Sequence, residues 1–106
     1  MKENEINAIL IKPNDNVATV FSNGKANDIA KISSFDGDRI NIKISEDIPF
    51  GHKLAVKDIK KGEEIIKYGE EIGIASKNIK KGDYVHIHNL NSMRGRGDLK
   101  SKEEDL

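Results

Sequence analysis

Cysteine is absent from this 106-residue chain, which excludes disulfide staples, thiol catalysis and thiolate metal sites. Tryptophan is absent as well, and two Tyr and three Phe are the only aromatics of that class, so any core is aliphatic. No apolar run approaches the roughly 20 residues of a membrane-spanning helix. The opening Met1-Lys2-Glu3-Asn4-Glu5 is polar and acidic, with no apolar stretch behind it. It does not read as a secretory signal, and the cytoplasm is the expected compartment. Nor does charge of one sign prevail. The 18 basic residues balance 18 acidic ones, which argues against both a nucleic-acid footprint and a cationic membrane face. There is no Walker loop, no glycine-rich dinucleotide turn, no His-Glu-x-x-His and no nucleophile elbow.

What is present points to strands. A chain of this length forms one domain with a thin core, burying roughly two thirds of its unfolded surface. Isoleucine occurs 16 times, against four Val and five Leu. Its branched β-carbon suits a pleated surface, and several isoleucines alternate with polar residues. Arg39-Ile40-Asn41-Ile42-Lys43-Ile44 is the clearest period-2 run, and Ile72–Ala75 and Tyr84–His88 are shorter ones. Residues 5–12 and 17–21 read as two further strands, separated by a Pro13-Asn14-Asp15-Asn16 turn. Ser22-Asn23-Gly24-Lys25 is a second turn. The stretch 26–35 is ambiguous, because Asp28 could cap a short helix carrying Ile29 and Ile32.

The second half repeats itself. Asp47-Ile48-Pro49-Phe50-Gly51, Asp58-Ile59-Lys60-Lys61-Gly62 and Asn78-Ile79-Lys80-Lys81-Gly82 share one pattern: Asx, Ile, two residues, Gly. Such a segment suggests a turn. Its Asx side chain would bond local backbone, its Ile would enter the core and its Gly would supply a positive φ. Each copy should feed a strand, at 53–56, 64–68 and 83–88. From Asn89 onward the chain becomes polar and glycine-rich, and it ends in a charged segment that reads as a tail.

Few residues can carry chemistry. His52, His86 and His88 are the only histidines. On a strand, His86 and His88 would leave one face together. Such a pair could bind a divalent metal, move protons or hold a carboxylate, or it could simply lie at a solvated strand edge. Two histidines do not complete a zinc-type site, and His52 is the candidate third group. Lys53 and the Lys67-Tyr68-Gly69 segment could meet an anion. Arg94 and Arg96, spaced by glycine, could clamp a carboxylate or phosphate, dock a partner or stay solvated.

The ordered motifs Asp15-Asn16-Val17-Ala18, Ile48-Pro49-Phe50-Gly51-His52-Lys53-Leu54-Ala55, Lys67-Tyr68-Gly69, Ile72-Gly73-Ile74-Ala75 and His86-Ile87-His88-Asn89 resemble the N-terminal SAF-type domain of the altronate and galactarate dehydratase family. The resemblance spans residues 14–18 and 47–98, and residues 22–38 fit it least. The segment around Arg94–Asp98 is similar to the stretch that follows the domain in split versions of these enzymes. The resemblance implies a mostly-β SAF-type β-clip domain over 1–91, with irregular short strands and long hairpins. Residues 92–106 would be a flexible polar tail or a partner-docking segment.

It further implies the small subunit of a hydro-lyase acting on a sugar acid such as altronate or galactarate, with the active site completed by a separate large subunit. His52, His86 and His88 would be catalytic. Lys53, Lys67, Tyr68, Asn89, Arg94 and Arg96 would contact substrate. His86 and His88 would be candidate ligands of a divalent metal, iron or manganese, held mainly by the large subunit. Neither nucleic acid nor membrane is an expected partner, whereas a second copy could cover exposed strand edges. Two alternatives remain open: the small subunit of a sulfolactate sulfo-lyase, and a non-catalytic binding or assembly module for carbohydrate acids.

Overall fold

A computed structural model of the chain describes residues 4–92. Every regular element in it is a strand: β1 Glu5–Leu10, β2 Val17–Val20, β3 Ile29–Ser34, β4 Arg39–Lys43, β5 Lys53–Ala55, β6 Glu64–Lys67, β7 Glu70–Ala75, β8 Tyr84–Val85 and β9 Leu90–Ser92. The mostly-β expectation is borne out, and the short strands and hairpins are consistent with a SAF-type β-clip. None of the described segments is a helix long and apolar enough to cross a membrane. The strands form a six-stranded sheet, β4-β3-β1-β2-β5-β8, and a three-stranded sheet, β6-β7-β9. Ser92, the first residue assigned to the tail, closes β9 opposite Gly73. The remainder of that tail, including Arg94 and Arg96, lies outside the described residues.

The structure resolves one open reading and corrects another. The ambiguous stretch does not form a helix: β3 lies parallel to β1 in continuous register from Glu5↔Ile29 to Leu10↔Ser34. Its β-branched Ile29 and Ile32 favour that pleated surface, and Asp28 closes a turn by accepting from the Lys25 amide (2.8 Å). The strand expected over 83–88 stops at Val85, and the chain turns through His86–Asn89.

The core is aliphatic and double. Ile6, Ala30, Ile32, Ile44, Ile48 and Leu54 belong to one buried cluster, and Val17, Ile59, Ile65, Ile79 and Val85 to the other. Strand β2 joins them, because Val17 faces the second cluster while Ala18 and Val20 face the first.

The Asx-Ile-x-x-Gly turns are the organising device, and the Asx side chains act across the fold rather than locally. Asp58 accepts from the Lys81 amide and Asn78 from the Lys61 amide, both at 2.9 Å. Between these bonds Ile59 and Ile79 exchange backbone hydrogen bonds of 2.8 and 2.7 Å. The glycine amides complete the exchange, Gly62 donating to Ala75 and Gly82 to Ala55 (2.8 and 2.9 Å).

The remaining turn, 47–51, has an equivalent partner that its sequence hides: Asn23-Gly24-Lys25-Ala26-Asn27. Asn23 accepts from the Phe50 amide (2.8 Å) and Asp47 from the Ala26 amide (2.9 Å). Gly24 and Ile48 exchange backbone bonds of 2.8 and 2.9 Å. Asn27 supplies the left-handed residue, with φ 78°, where the other turns have Gly51, Gly62 and Gly82. Gly24 replaces the isoleucine for a packing reason. A β-carbon there would stand 2.7 Å from Ile44 Cδ1 and 2.8 Å from Ile6 Cδ1.

Two glycines at the same position of the pattern should therefore respond differently. Gly62 (φ 92°) faces open space, so Gly62→Ala should cost only the left-handed backbone strain of roughly 1–2 kcal/mol. At Gly82 (φ 97°) a β-carbon would also lie 2.6 Å from the Lys43 carbonyl oxygen. Gly82→Ala should lose at least about 1 kcal/mol more. Denaturant midpoints at unchanged slope check the difference.

Candidate functional site

Three of the turns close with an acid directly after the left-handed residue. Asp28, Glu63 and Asp83 each accept from an amide three residues earlier, that of Lys25, Lys60 and Lys80 respectively (2.8, 2.6 and 2.9 Å). The turn at 47–51 differs. Its corresponding earlier residue is Pro49, which has no amide hydrogen to offer. The position after Gly51 needs no carboxylate there, and it holds His52. The backbone still closes in the same way, His52 N–H donating to Pro49 O (3.1 Å).

The freed ring turns toward β8. Strand β5 pairs with β8 through Lys53↔Val85 and Leu54↔Tyr84, which sets His52 beside Tyr84. Tyr84 OH and His52 Nδ1 are 2.6 Å apart. The His86 ring stacks on Tyr84 (centroids 5.6 Å apart, planes 9° apart) and lies 4.8 Å from the His52 ring. His88 reaches the same tyrosine, at 5.3 Å between centroids. The histidines thus come together around Tyr84, but not because a strand aligns His86 with His88. A turn carries both, with Asn89 holding it. Buried Asn89 accepts from the His86 amide (2.9 Å) and donates to the Tyr84 carbonyl (2.8 Å). Its amide, expected at the substrate, is engaged with backbone.

The lysines lie on the adjoining surface. Thr19 pairs with Lys53 across β2 and β5, and its hydroxyl is 3.5 Å from Tyr68 OH. Tyr68 (φ 57°) and Gly69 (φ 78°) form the two-residue turn between β6 and β7. Lys67 Nζ sits 4.9 Å from the Tyr68 ring centroid. Burial, and then the charge of Lys67, lower the pKa of half-buried Lys53.

This hairpin is anchored by Asp15 and Asn16, which the sequence presents as turn residues. Both are buried. Asp15 accepts from the Gly69 amide (2.8 Å), while Asn16 accepts from Ile66 N–H and donates to Glu64 O, each at 2.8 Å.

The electrostatics favour a neutral His86. Burial lowers its pKa first, followed by the charges of His52, Lys53 and His88. Tyr84 is raised, by burial and then by Glu46, and keeps its proton at neutral pH. Such a surface offers the neutral imidazole of His86 beside the two ammonium groups of Lys53 and Lys67, a combination suited to an anion that must also exchange a proton. No group of three or more His, Asp or Glu among the described residues is arranged to hold a metal ion. The histidines fit a metal only as part of a ligand set completed from elsewhere.

Tyr84 is the site residue that sequence reading missed. It precedes His86 by two residues, but its partnership with His52 depends on β5–β8 pairing. An open groove of about 450 Å³ lies apart from this cluster, lined in part by Asn14, Asp58 and Glu63.

The fold and this cluster define a small all-β clip domain that presents histidines and lysines together on one surface. The chain belongs to the altronate/galactarate dehydratase SAF domain family, whose model matches residues 6–93. It is 40% identical over 60 residues to the (2R)-sulfolactate sulfo-lyase subunit alpha of Chromohalobacter salexigens, a match covering 56% of this chain and 64% of that subunit. It is 40% identical over 62 residues to the altronate dehydratase of Bacillus subtilis, covering 58% of this chain and 12% of that enzyme. The corresponding subunit alpha of Paracoccus pantotrophus is 39% identical over 59 residues, covering 56% of this chain and 88% of that subunit. The chain thus spans less than two thirds of the first two relatives, and only about an eighth of the dehydratase.

Because the folded pKa of His86 lies below its ordinary value of 6.5, protonation opposes folding. The contribution of this group is complete above that value. It declines as pH falls below 6.5, where the unfolded ring binds the proton first, and levels off beneath the folded pKa. An NMR titration should place the His86 midpoint below 6.5. Lys53→Gln should raise it only partly, since burial, the larger cause, persists.

Proposed function

We propose that this chain is the small subunit of a hydro-lyase that dehydrates a sugar acid such as altronate or galactarate, with a separate large subunit completing the active site. The observation that carries this reading is the assembly of His52, Tyr84 and His86 beside Lys53 and Lys67, on a domain with few other reactive groups. Dehydration of a hydroxy acid removes the proton next to the carboxylate and expels the β-hydroxyl as water. Lys53 and Lys67 hold the carboxylate and offset the charge that builds as the proton leaves. Neutral His86 accepts that proton. Divalent iron or manganese, held mainly by the large subunit with His88 as the candidate ligand from this chain, would supply further positive charge beside the carboxylate, since His86, the other candidate ligand, serves as the proton acceptor in this reading.

The large subunit covers the cluster. Ile87, between the two turn histidines, is 82% exposed, and Phe50, two residues before His52, is 62% exposed. Large apolar side chains so exposed beside an incomplete site suit a protein interface. Arg94 and Arg96 are further candidates for substrate contact or docking. The expected setting is cytoplasmic metabolism.

A second reading, sulfite elimination from sulfolactate, is favoured by the relatives named as sulfo-lyase alpha subunits. It uses the same carboxylate grip and proton removal with a different leaving group, so assaying released sulfite against released keto acid separates the two.

Co-expression with a candidate large subunit from the same genome provides the test. The mixture should turn over one of these acids, and the lone chain none. His86→Ala should lower kcat by about 100-fold or more, the usual loss on removing a general base. Lys53→Gln should mainly raise KM, by about tenfold. Unchanged turnover in His86→Ala, or robust turnover by the lone chain, would sink the assignment. In the same preparation, Ile87→Ser should weaken subunit association while leaving the melting temperature of the isolated chain within about 2 °C.

A further inference from the structure

Among these groups, His52 and Tyr84 form the most tightly specified contact, and its chemistry determines which nitrogen of His52 carries the proton. The His52 backbone is pinned on both sides: its N–H donates to Pro49 O and its carbonyl accepts from Val20 N–H. Tyr84 is equally fixed. Its N–H meets Glu46 Oε2 (3.3 Å), and its carbonyl accepts from Asn89. The fold thus fixes the backbone positions from which the two rings meet.

The 2.6 Å approach joins an acidic phenol to an imidazole. A phenol hydroxyl is a far stronger donor than a neutral imidazole N–H, and an unprotonated imidazole nitrogen is a far stronger acceptor than a phenol oxygen. The favoured arrangement is O–H···Nδ1, with the imidazole proton on the opposite nitrogen.

We infer that Tyr84 donates its hydroxyl proton to His52 Nδ1 in a hydrogen bond and so holds His52 as the Nε2–H tautomer, making His52 a hydrogen-bond donor to a substrate oxygen rather than a proton acceptor. Tyr84 is then a positioning residue. The inference rests on the reading of this cluster as a substrate site and divides the labour within it: His86 takes the proton, and His52 steadies an oxygen of the acid. The same logic accounts for Pro49. A residue with an amide hydrogen at that position would call for a carboxylate at position 52, as the other turns show.

The test is nitrogen NMR of the full-length chain at a pH where the rings are neutral. In the wild type, His52 Nε2 should carry the proton and Nδ1 should show the shift of a hydrogen-bonded acceptor. In Tyr84→Phe, Nδ1 should move toward the value of an unbonded ring nitrogen. A proton on Nδ1 in the wild type, or an Nδ1 signal unmoved by Tyr84→Phe, overturns the inference, and the wild-type spectrum alone can do so. In the complex with the large subunit, Tyr84→Phe should lower kcat about tenfold with KM within about twofold, the size expected for one neutral hydrogen bond. If the tautomer is as inferred but kcat is unchanged, the tautomer stands and the placing of His52 in the active site falls.

Discussion

Everything in this fold depends on turns that bond each other as well as themselves. A domain with two small aliphatic clusters has little hydrophobic surface with which to fix its strands. Here each Asx side chain caps an amide of a partner turn, and the partner returns the bond. The pairs lie at 23–27 with 47–51 and at 58–62 with 78–82. Because each left-handed residue also bonds the end of a strand belonging to its partner, turn and strand are closed in one operation. Short strands of two to six residues suffice when their ends are clamped in this way.

The candidate site arises where one turn departs from that scheme. The other three end on an acid that caps its own turn, whereas the turn at 47–51 has a proline where the cap would bond and a histidine where the acid would stand. A local rule broken without loss of the backbone closure marks a position released from structural work. The neighbouring groups are supported with similar care. Asn89 holds the turn bearing His86 and His88, and Asp15 and Asn16 hold the hairpin bearing Lys67 and Tyr68. The buried polar residues here orient the exposed ones.

The family matches agree with a site that is assembled rather than contained. Some relatives are named as subunits, and in the dehydratases the matched region is a small fraction of a longer chain. Under the proposed function, the surface carrying two lysines and three histidines, edged by exposed Ile87 and Phe50, is what the partner would meet.

The sequence alone determined the three regular turns, because Ile and Gly at fixed spacing supply a core plug and a positive φ, although the Asx acceptors bond a partner turn that the sequence does not name. It also determined the alternating strands and, through ordered motifs, the family. It could not show that 23–27 is a fourth such turn, since glycine stands there for isoleucine only because Ile6 and Ile44 already fill the space. Nor could it show that 29–34 is a parallel strand, that His86 and His88 leave a turn, or that Tyr84 belongs with His52. Apart from the turn at 86–89, which Asn89 holds locally, each of these depends on partners brought together from about 20 to 30 residues away in the chain. Local residue chemistry specified the parts, and the tertiary fold decided which part each one met.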